Sequence, residues 1–357
     1  MRVAIVAPPF ISVPPRRYGG TELFIAQLAA GLQNAGIDVV VYANGESTVD
    51  AETRWLFPKA QWPIKGDVYD NLRDLNHTTW AIKDASRTSD LIHINNAPGL
   101  ICSRFLNRPF VYTIHHPHIP ELSDFYRYFP EVSYVTISDF QRRQETMPYL
   151  QTIHHGLDFS QYQLGGNKRD YLAFLGRIAP IKGPHLAIQA AKQAGIPLKI
   201  AGEVQPMFRD YFEAEIRPEL DGRLIEYIGE ADLAAKNELL GHALAMLFPI
   251  QWDEPFGLVM LEAMACGTPV LALPGGSVPE VIENGVTGFI CGSVKEMAAR
   301  AREVGQAIPP ALVRQHAQER FSLEHMAAGY AKLYQSILTA GQTSNISALI
   351  EQQRAVA

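Results

Sequence analysis

The sequence is short of cysteine, of excess charge and of long apolar runs. Three cysteines in 357 residues (Cys102, Cys266 and Cys291) are too few and too scattered for a disulfide framework, and they fit a reducing cytoplasm. A net charge of −6 and a pI near 6 argue against nucleic acid as the main partner. No apolar run reaches the roughly eighteen residues that a membrane span needs. The opening Met1-Arg-Val-Ala-Ile-Val-Ala runs straight into Pro8-Pro9 and reads as a buried first strand, not a signal peptide. Two spacings are also missing. Among 27 glycines no pair is separated by a single residue, so there is no Gly-x-Gly-x-x-Gly for a dinucleotide, and no Gly-x4-Gly-Lys-Ser/Thr phosphate loop either. No two aspartates are separated by a single residue, which removes Asp-x-Asp as a carrier of Mg2+ or Mn2+.

What is present is an ordinary globular composition, 47% hydrophobic and 19% charged, long enough for two domains. Residues 3–7 are small and apolar, a strand of parallel-sheet character. A Pro- and Gly-rich loop covers 8–20. A helix over 21–35 follows, with Phe24, Leu28 and Leu32 on one face, then a stop at Gly36 and a strand over 39–42. Strands are expected at 90–94, 109–114 and 134–137, with a helix from 138, and 152–156 closes the first half. The polar stretch 161–170, containing Gly165-Gly166-Asn167-Lys168, is the expected linker. A second series then begins: strand 172–175, helix 184–194, strand 198–201. Strands 224–228 and 245–248 flank a helix over 233–244, and 270–273 and 287–291 complete the set. Two such alternations predict an α/β protein with two Rossmann-like, doubly wound domains. Beyond Phe321 the chain reads as helical, with a polar, frayed end from 339.

The stretch Glu254-Pro-Phe-Gly-Leu-Val-Met-Leu-Glu262 sets two carboxylates eight residues apart, with a helix over 258–266 stopped by Gly267 and Pro269. Gly257 then stands at a helix N-terminus, where unpaired N–H groups and the dipole favour a phosphate. At about 100° per residue the two glutamates would be roughly 80° apart even on one helix, so they are placed to grip two parts of a long ligand. By itself the spacing also fits a capped surface helix with two solvated glutamates.

The flanks extend the pattern. Pro249…Glu254-Pro-Phe-Gly-Leu-Val…Glu262-Ala-Met-Ala-x-Gly-x-Pro-Val270 and Gly275-Gly276-x3-Glu280-Val-Ile-x2-Gly285-x2-Gly288-Phe resemble the Glu-x7-Glu motif of retaining glycosyltransferases of the family-four type. The resemblance implies the GT-B fold: two domains facing across a cleft, with a C-terminal helix crossing back to the first. It sets residues 1–163 plus about 322–357 as the acceptor-binding domain, and 164–321 as the nucleotide-sugar domain. Leu175-Gly-Arg177-Ile-Ala-Pro-Ile-Lys182-Gly183 resembles the family's Gly-Arg-x4-Lys-Gly, whose cations hold the donor diphosphate; otherwise the two are a surface pair. Gly19-Gly20-Thr21-Glu22 resembles its Gly-Gly-x-Glu loop, otherwise a plain turn.

By this resemblance Glu254, Arg177, Lys182 and His115 are the catalytic residues. Gly19, Gly20, Gly229, Phe256, Gly257, Leu258, Val259 and Glu262 bind the donor. Arg16, Tyr18 and His116 face the acceptor. With Asp-x-Asp missing, side-chain cations and helix ends neutralise the leaving diphosphate, and neither metal nor cofactor is expected. A metal site of His115, His116 and His118 is disfavoured, because all three crowd into one turn. Three departures are His155-Gly156-Leu157-Asp158 where Asn-Gly-Val-Asp is usual, Gly36-Ile37 where Gly-His is usual, and Gly202-Glu203-Val204 where a second glycine is usual.

The leading expectation is thus a metal-independent, retaining transfer of a hexose, glucose from UDP-glucose, to a small soluble acceptor. Tyr18-Gly-Gly-Thr-Glu with Pro249-x2-Trp252-x-Glu-Pro-Phe-Gly resembles a bacterial soluble subgroup and implies a reduced pterin such as tetrahydrobiopterin. The helix-like stretch 69–87 balances Asp70, Asp74 and Asp84 against Arg73, Lys83 and Arg87, giving no strong pull toward an anionic membrane. Phe125-Tyr126-Arg127-Tyr128-Phe129 either stacks a flat acceptor or packs its own aromatics. A lipid or polysaccharide acceptor, a sugar-nucleotide epimerase or inverting transferase, and a non-catalytic nucleotide-sugar binder of the same fold remain open.

Overall fold

The computed structural model describes residues 1–17, 19–166 and 170–356, from 341 onward as backbone alone. The first half forms a seven-stranded sheet in the order β3-β2-β1-β4-β5-β6-β7, every pairing parallel. Its strands are β1 (Arg2–Val6), β2 (Asp38–Ala43), β3 (Glu52–Trp55), β4 (Leu91–Ile94), β5 (Phe110–Ile114), β6 (Ser133–Thr136) and β7 (Leu150–Thr152). Helices α1 (Gly20–Asn34) and α2 (Val68–Thr88) cover opposite faces. The interior strands are continuous apolar runs because both of their faces are buried, as in Val3, Ala4, Ile5 and Val6, all fully inaccessible.

The second half forms a six-stranded parallel sheet, β10-β9-β8-β11-β12-β13. Its members are β8 (Tyr171–Leu175), β9 (Leu198–Ala201), β10 (Ile225–Gly229), β11 (Ala243–Phe248), β12 (Val270–Ala272) and β13 (Gly288–Ile290). Helices α3 (Pro184–Ala194), α4 (Leu233–Gly241), α5 (Leu258–Ala265), α6 (Val294–Ala307) and α7 (Pro310–Phe321) wrap it. Helix α8 (Leu323–Val356) then crosses back and packs along α1. Buried hydrogen bonds fix the crossing: His93 Nδ1 to Tyr334 Oη at 2.7 Å, and Thr113 Oγ1 to Tyr330 Oη at 2.9 Å.

Most expected elements are present, and the differences have physical causes. Helix α4 stops at Gly241, so that β11 starts at Ala243, earlier than its apolar run suggests. The edge strands β3 and β7 carry half-exposed side chains and so lack an apolar signature. Helix α8 continues to Val356, past the expected frayed start at 339. Residues 167–169 of the expected linker lie outside the described residues.

Candidate functional site

The carboxyl ends of both sheets face one cleft of about 430 Å³. From the first half it takes residues of the loop after β1 and His115 after β5. From the second half it takes residues of the turns after β8, β9, β10 and β11.

Glu254 lies in the loop between β11 and α5 and is buried. Its Oε2 accepts from Lys182 Nζ at 2.6 Å and from Trp252 Nε1 at 2.8 Å. The Lys182 ammonium also sits 4.5 Å from the centre of the Trp252 ring. A buried carboxylate needs such donors to stay charged. The loop is gripped from behind by the residues after β12. Ser277 N donates to Glu254 O and Ser277 Oγ to Phe256 O, both at 2.9 Å. Gly276 has φ of +56°, and a Cβ there would lie 2.2 Å from the Glu254 carbonyl oxygen, so only glycine allows this approach.

Glu262 stands in the second turn of α5, and only 1% of it is exposed. Its Oε1 accepts from Lys236 Nζ of α4 at 2.8 Å and from Tyr162 Oη at 2.9 Å. Tyr162 belongs to the segment joining the two sheets. Arg314 of α7 holds that segment by donating to Phe159 O at 2.7 Å and Tyr162 O at 2.8 Å. Each glutamate therefore has its own lysine, and the pair presents two separate charged ends to one cleft.

Arg177 follows β8 and donates from Nη1 to Gln205 Oε1 at 3.3 Å, while its buried Nε has no acceptor among the described residues. Gly257, at φ +84°, begins α5 with no side-chain cap. Arg177, Lys182 and the open amides of α5 thus supply positive potential to the same cleft, the surroundings a phosphate requires.

On the opposite wall His115 packs 4.9 Å from the Phe24 ring and stacks on His155 at 5.7 Å. Burial holds its pKa well below the ordinary imidazole value, so the ring is neutral. Asn95 Nδ2 donates to Val6 O at 3.1 Å, which turns its Oδ1 toward His115 Nε2, 2.9 Å away. An amide oxygen only accepts, so Nε2 carries the proton and Nδ1 keeps its lone pair. His155 is likewise buried, its pKa pushed down to about 3 by desolvation, and its Nδ1 has no partner among the described residues. Glu22, at the start of α1, is buried too, which pushes its pKa up to about 7.

The expected residues fall as follows. Gly19, Gly20, Arg16, Phe256, Gly257, Leu258 and Val259 line the cleft with Glu254, Glu262, Arg177, Lys182 and His115. The Gly229 carbonyl accepts from Gly202 N at 2.9 Å, and the neighbouring Glu230 and Ala231 reach the cleft. His116 points elsewhere: its Nε2 pairs with Tyr126 Oη at 2.5 Å and its Nδ1 with Pro117 O at 2.7 Å. Tyr18 lies outside the described residues. In the 125–129 run Phe125 packs on Tyr126 and Phe129, both fully buried, while Tyr128 is exposed. Lys236 and Tyr162 were not foreseen, because neither sits at a fixed spacing from Glu262.

The chain is similar to known proteins in sequence and in fold. Residues 18–179 match the model described as Glycosyltransferase Family 4, and residues 159–308 the model described as Glycosyl transferases group 1. YtcC of Bacillus subtilis (strain 168) is 25% identical over 315 residues, 74% of this chain and 77% of that protein. AviGT4, a glycosyltransferase involved in avilamycin A biosynthesis, superposes with a TM-score of 0.72 at 26% identity, over 95% of this chain and 98% of its own. HepE of Anabaena, solved with UDP and glucose, gives a TM-score of 0.75 at 19% identity, over 94% of this chain and 100% of its own. Two facing parallel-sheet domains joined by a returning helix define the GT-B fold. The chain is a glycosyltransferase of the group 1 type.

Proposed function

We propose that the protein transfers glucose from UDP-glucose to a small soluble acceptor, with retention at the anomeric carbon and without a metal ion. The observation that carries this reading is the two buried carboxylates, each with its own lysine, lining one cleft beside Arg177 and the α5 amides. In the proposed arrangement Glu254 faces the transferred sugar and Glu262 the ribose. Arg177 and Lys182 take the diphosphate, and neutral His115 orients the sugar hydroxyls. The donor choice draws support from HepE, whose solved complex holds UDP and glucose. All four charged donor-side residues come from elements of the second sheet, while Arg16, Gly19 and His115 come from the first. This supports assigning 164–321 to the donor and 1–163 with 322–357 to the acceptor.

In this reading no carboxylate of the motif serves as a nucleophile, and attack occurs on the same face that the diphosphate leaves. The departing phosphate oxygen takes the acceptor proton. Arg177 and Lys182 stabilise the charge that develops there, in place of a divalent ion. For the acceptor we favour a reduced pterin, on the motif resemblance, and for the compartment the reducing cytoplasm, on three free cysteines. Among the described residues no helix is long and apolar enough to cross a membrane. Incubation with UDP-glucose and tetrahydrobiopterin tests the proposal: UDP and a glucosylated pterin are expected. Transfer to a different acceptor removes the pterin and keeps the reaction. Binding of UDP-glucose with neither transfer nor hydrolysis leaves a binding protein.

A further inference from the structure

Glu280 lies outside the cleft, yet it joins both of its walls. It sits in the short helix Val278–Val281, after β12. Its carboxylate crosses to the first half and accepts from the backbone N–H of Asp139, at 2.7 Å, and of Phe140. These are the first amides of the helix Asp139–Arg142. His154 Nε2 lies 3.2 Å from Glu280 Oε2, and the Arg143 guanidinium 3.9 Å from Oε1. Arg320 of α7 donates to the Glu280 carbonyl. Asp139, His154 and Glu280 bring potential ligand atoms within 4.8 Å of one another. Their acceptors are already spoken for, however: Thr152 Oγ1 donates to Asp139 Oδ1 at 2.6 Å, and the amides take Glu280. The group closes on itself as a contact between halves.

Each side of this contact continues to a site residue. On the second half, Ser277 immediately precedes the helix Val278–Val281 and holds the Glu254 loop through its N and Oγ. On the first half, Gln141 Nε2 donates to Ile114 O at 3.1 Å and to His116 O at 2.7 Å, bracketing His115. Gln141 is itself held by Ser138, whose Oγ accepts from its N at 3.1 Å. Hydrogen bonds and the two short helices Val278–Val281 and Asp139–Arg142 therefore link Glu254 through Ser277, Glu280 and Gln141 to the residues flanking His115.

We infer that Glu280 is a positioning residue: its carboxylate clasps the two halves so that His115 and Glu254 are held at a fixed separation. It touches no substrate. Its effect falls on the alignment of the two walls, which a small misplacement disrupts strongly. The kinetic part of this inference rests on the proposed sugar transfer; the structural part does not.

The test compares Glu280→Ala and Glu280→Gln with the wild-type chain. The two amides bond to different carboxylate oxygens, so glutamine keeps one of the two acceptors, whereas alanine removes both. Hydrogen exchange should speed up across 138–142 and 114–116 in Glu280→Ala, with UDP affinity unchanged. UDP release from UDP-glucose should fall by about tenfold or more in kcat, with KM for the donor near wild type. Glu280→Gln should fall between Glu280→Ala and wild type in both readouts. Glu280→Ala combined with Gln141→Ala should cost little more than either alone, because both break one chain of contacts. Unchanged exchange at 138–142 in Glu280→Ala overturns the clasp. So does a loss that appears mainly in donor KM. A wild-type protein that releases no UDP refutes the proposed function instead, and the exchange result still decides the clasp.

Discussion

Lys182 Nζ lies 2.6 Å from Glu254 Oε2, so the cation expected to meet the donor diphosphate is held by the carboxylate expected to meet the sugar. The Trp252 indole N–H shares the same oxygen. In the proposed arrangement a diphosphate would compete with Glu254 for this ammonium, and the Trp252 N–H would remain as a partner of the carboxylate.

Replacing Lys182 thus removes two things, a phosphate contact and the counter-ion of a buried carboxylate. A charge-assisted hydrogen bond is worth about 1.5–3 kcal/mol, and about 1.4 kcal/mol is tenfold in rate. Lys182→Ala should lower kcat/KM for UDP-glucose at least about tenfold. A steady-state assay of UDP release checks it; near-wild-type turnover contradicts the assignment.

The two glutamates should separate kinetically. Glu262 is anchored by Lys236 and Tyr162 and in the proposed arrangement meets the ribose, so Glu262→Ala and, more mildly, Tyr162→Phe should weaken UDP binding. Glu254→Ala should chiefly lower kcat, because it acts where charge develops. Calorimetric titration with UDP distinguishes them. Unaltered UDP affinity in Glu262→Ala would show that this carboxylate does not hold the ribose.

Much of this was readable in the chain itself, for specific reasons. The interior strands announce themselves because burial on both faces demands unbroken apolar runs, as in Val3 to Val6. Glu254, Glu262, Arg177 and Lys182 were singled out by the motifs they share with the resembled family, and all four line the cleft. Lys236 and Tyr162 were not, since their contact with Glu262 is made through tertiary packing from α4 and from the crossing segment. His116 illustrates the reverse case. Its sequence neighbour His115 reaches the cleft, but consecutive residues at a strand end point in opposite directions, and His116 turns to Tyr126.

Activity should survive chelation. The chain lacks Asp-x-Asp, and in the proposed arrangement Arg177, Lys182 and the α5 amides, which line the cleft, neutralise the diphosphate. Turnover in excess EDTA should match turnover with added Mg2+. Loss of activity in EDTA with recovery on adding Mn2+ contradicts this.

Glu22 should make stability depend on pH. Burial raises its pKa from 4.5 to about 7, so the folded chain holds this proton more tightly than the unfolded chain. That contribution is complete below pH 4.5 and is lost as pH rises through 7. Glu22→Gln keeps the shape without the proton. Its stability relative to wild type should therefore climb between pH 5 and pH 8 by roughly 3 kcal/mol. Urea unfolding at both pH values measures it, and a pH-independent difference rules out a buried protonated Glu22.

The central claim, retaining transfer from UDP-glucose, is tested most directly by the anomeric configuration of the product. Proton NMR of the glucoside formed from UDP-α-glucose reads it from the anomeric coupling. The account predicts an α-linked product formed together with UDP. A β-linked product, or a donor that binds and is never consumed, contradicts it.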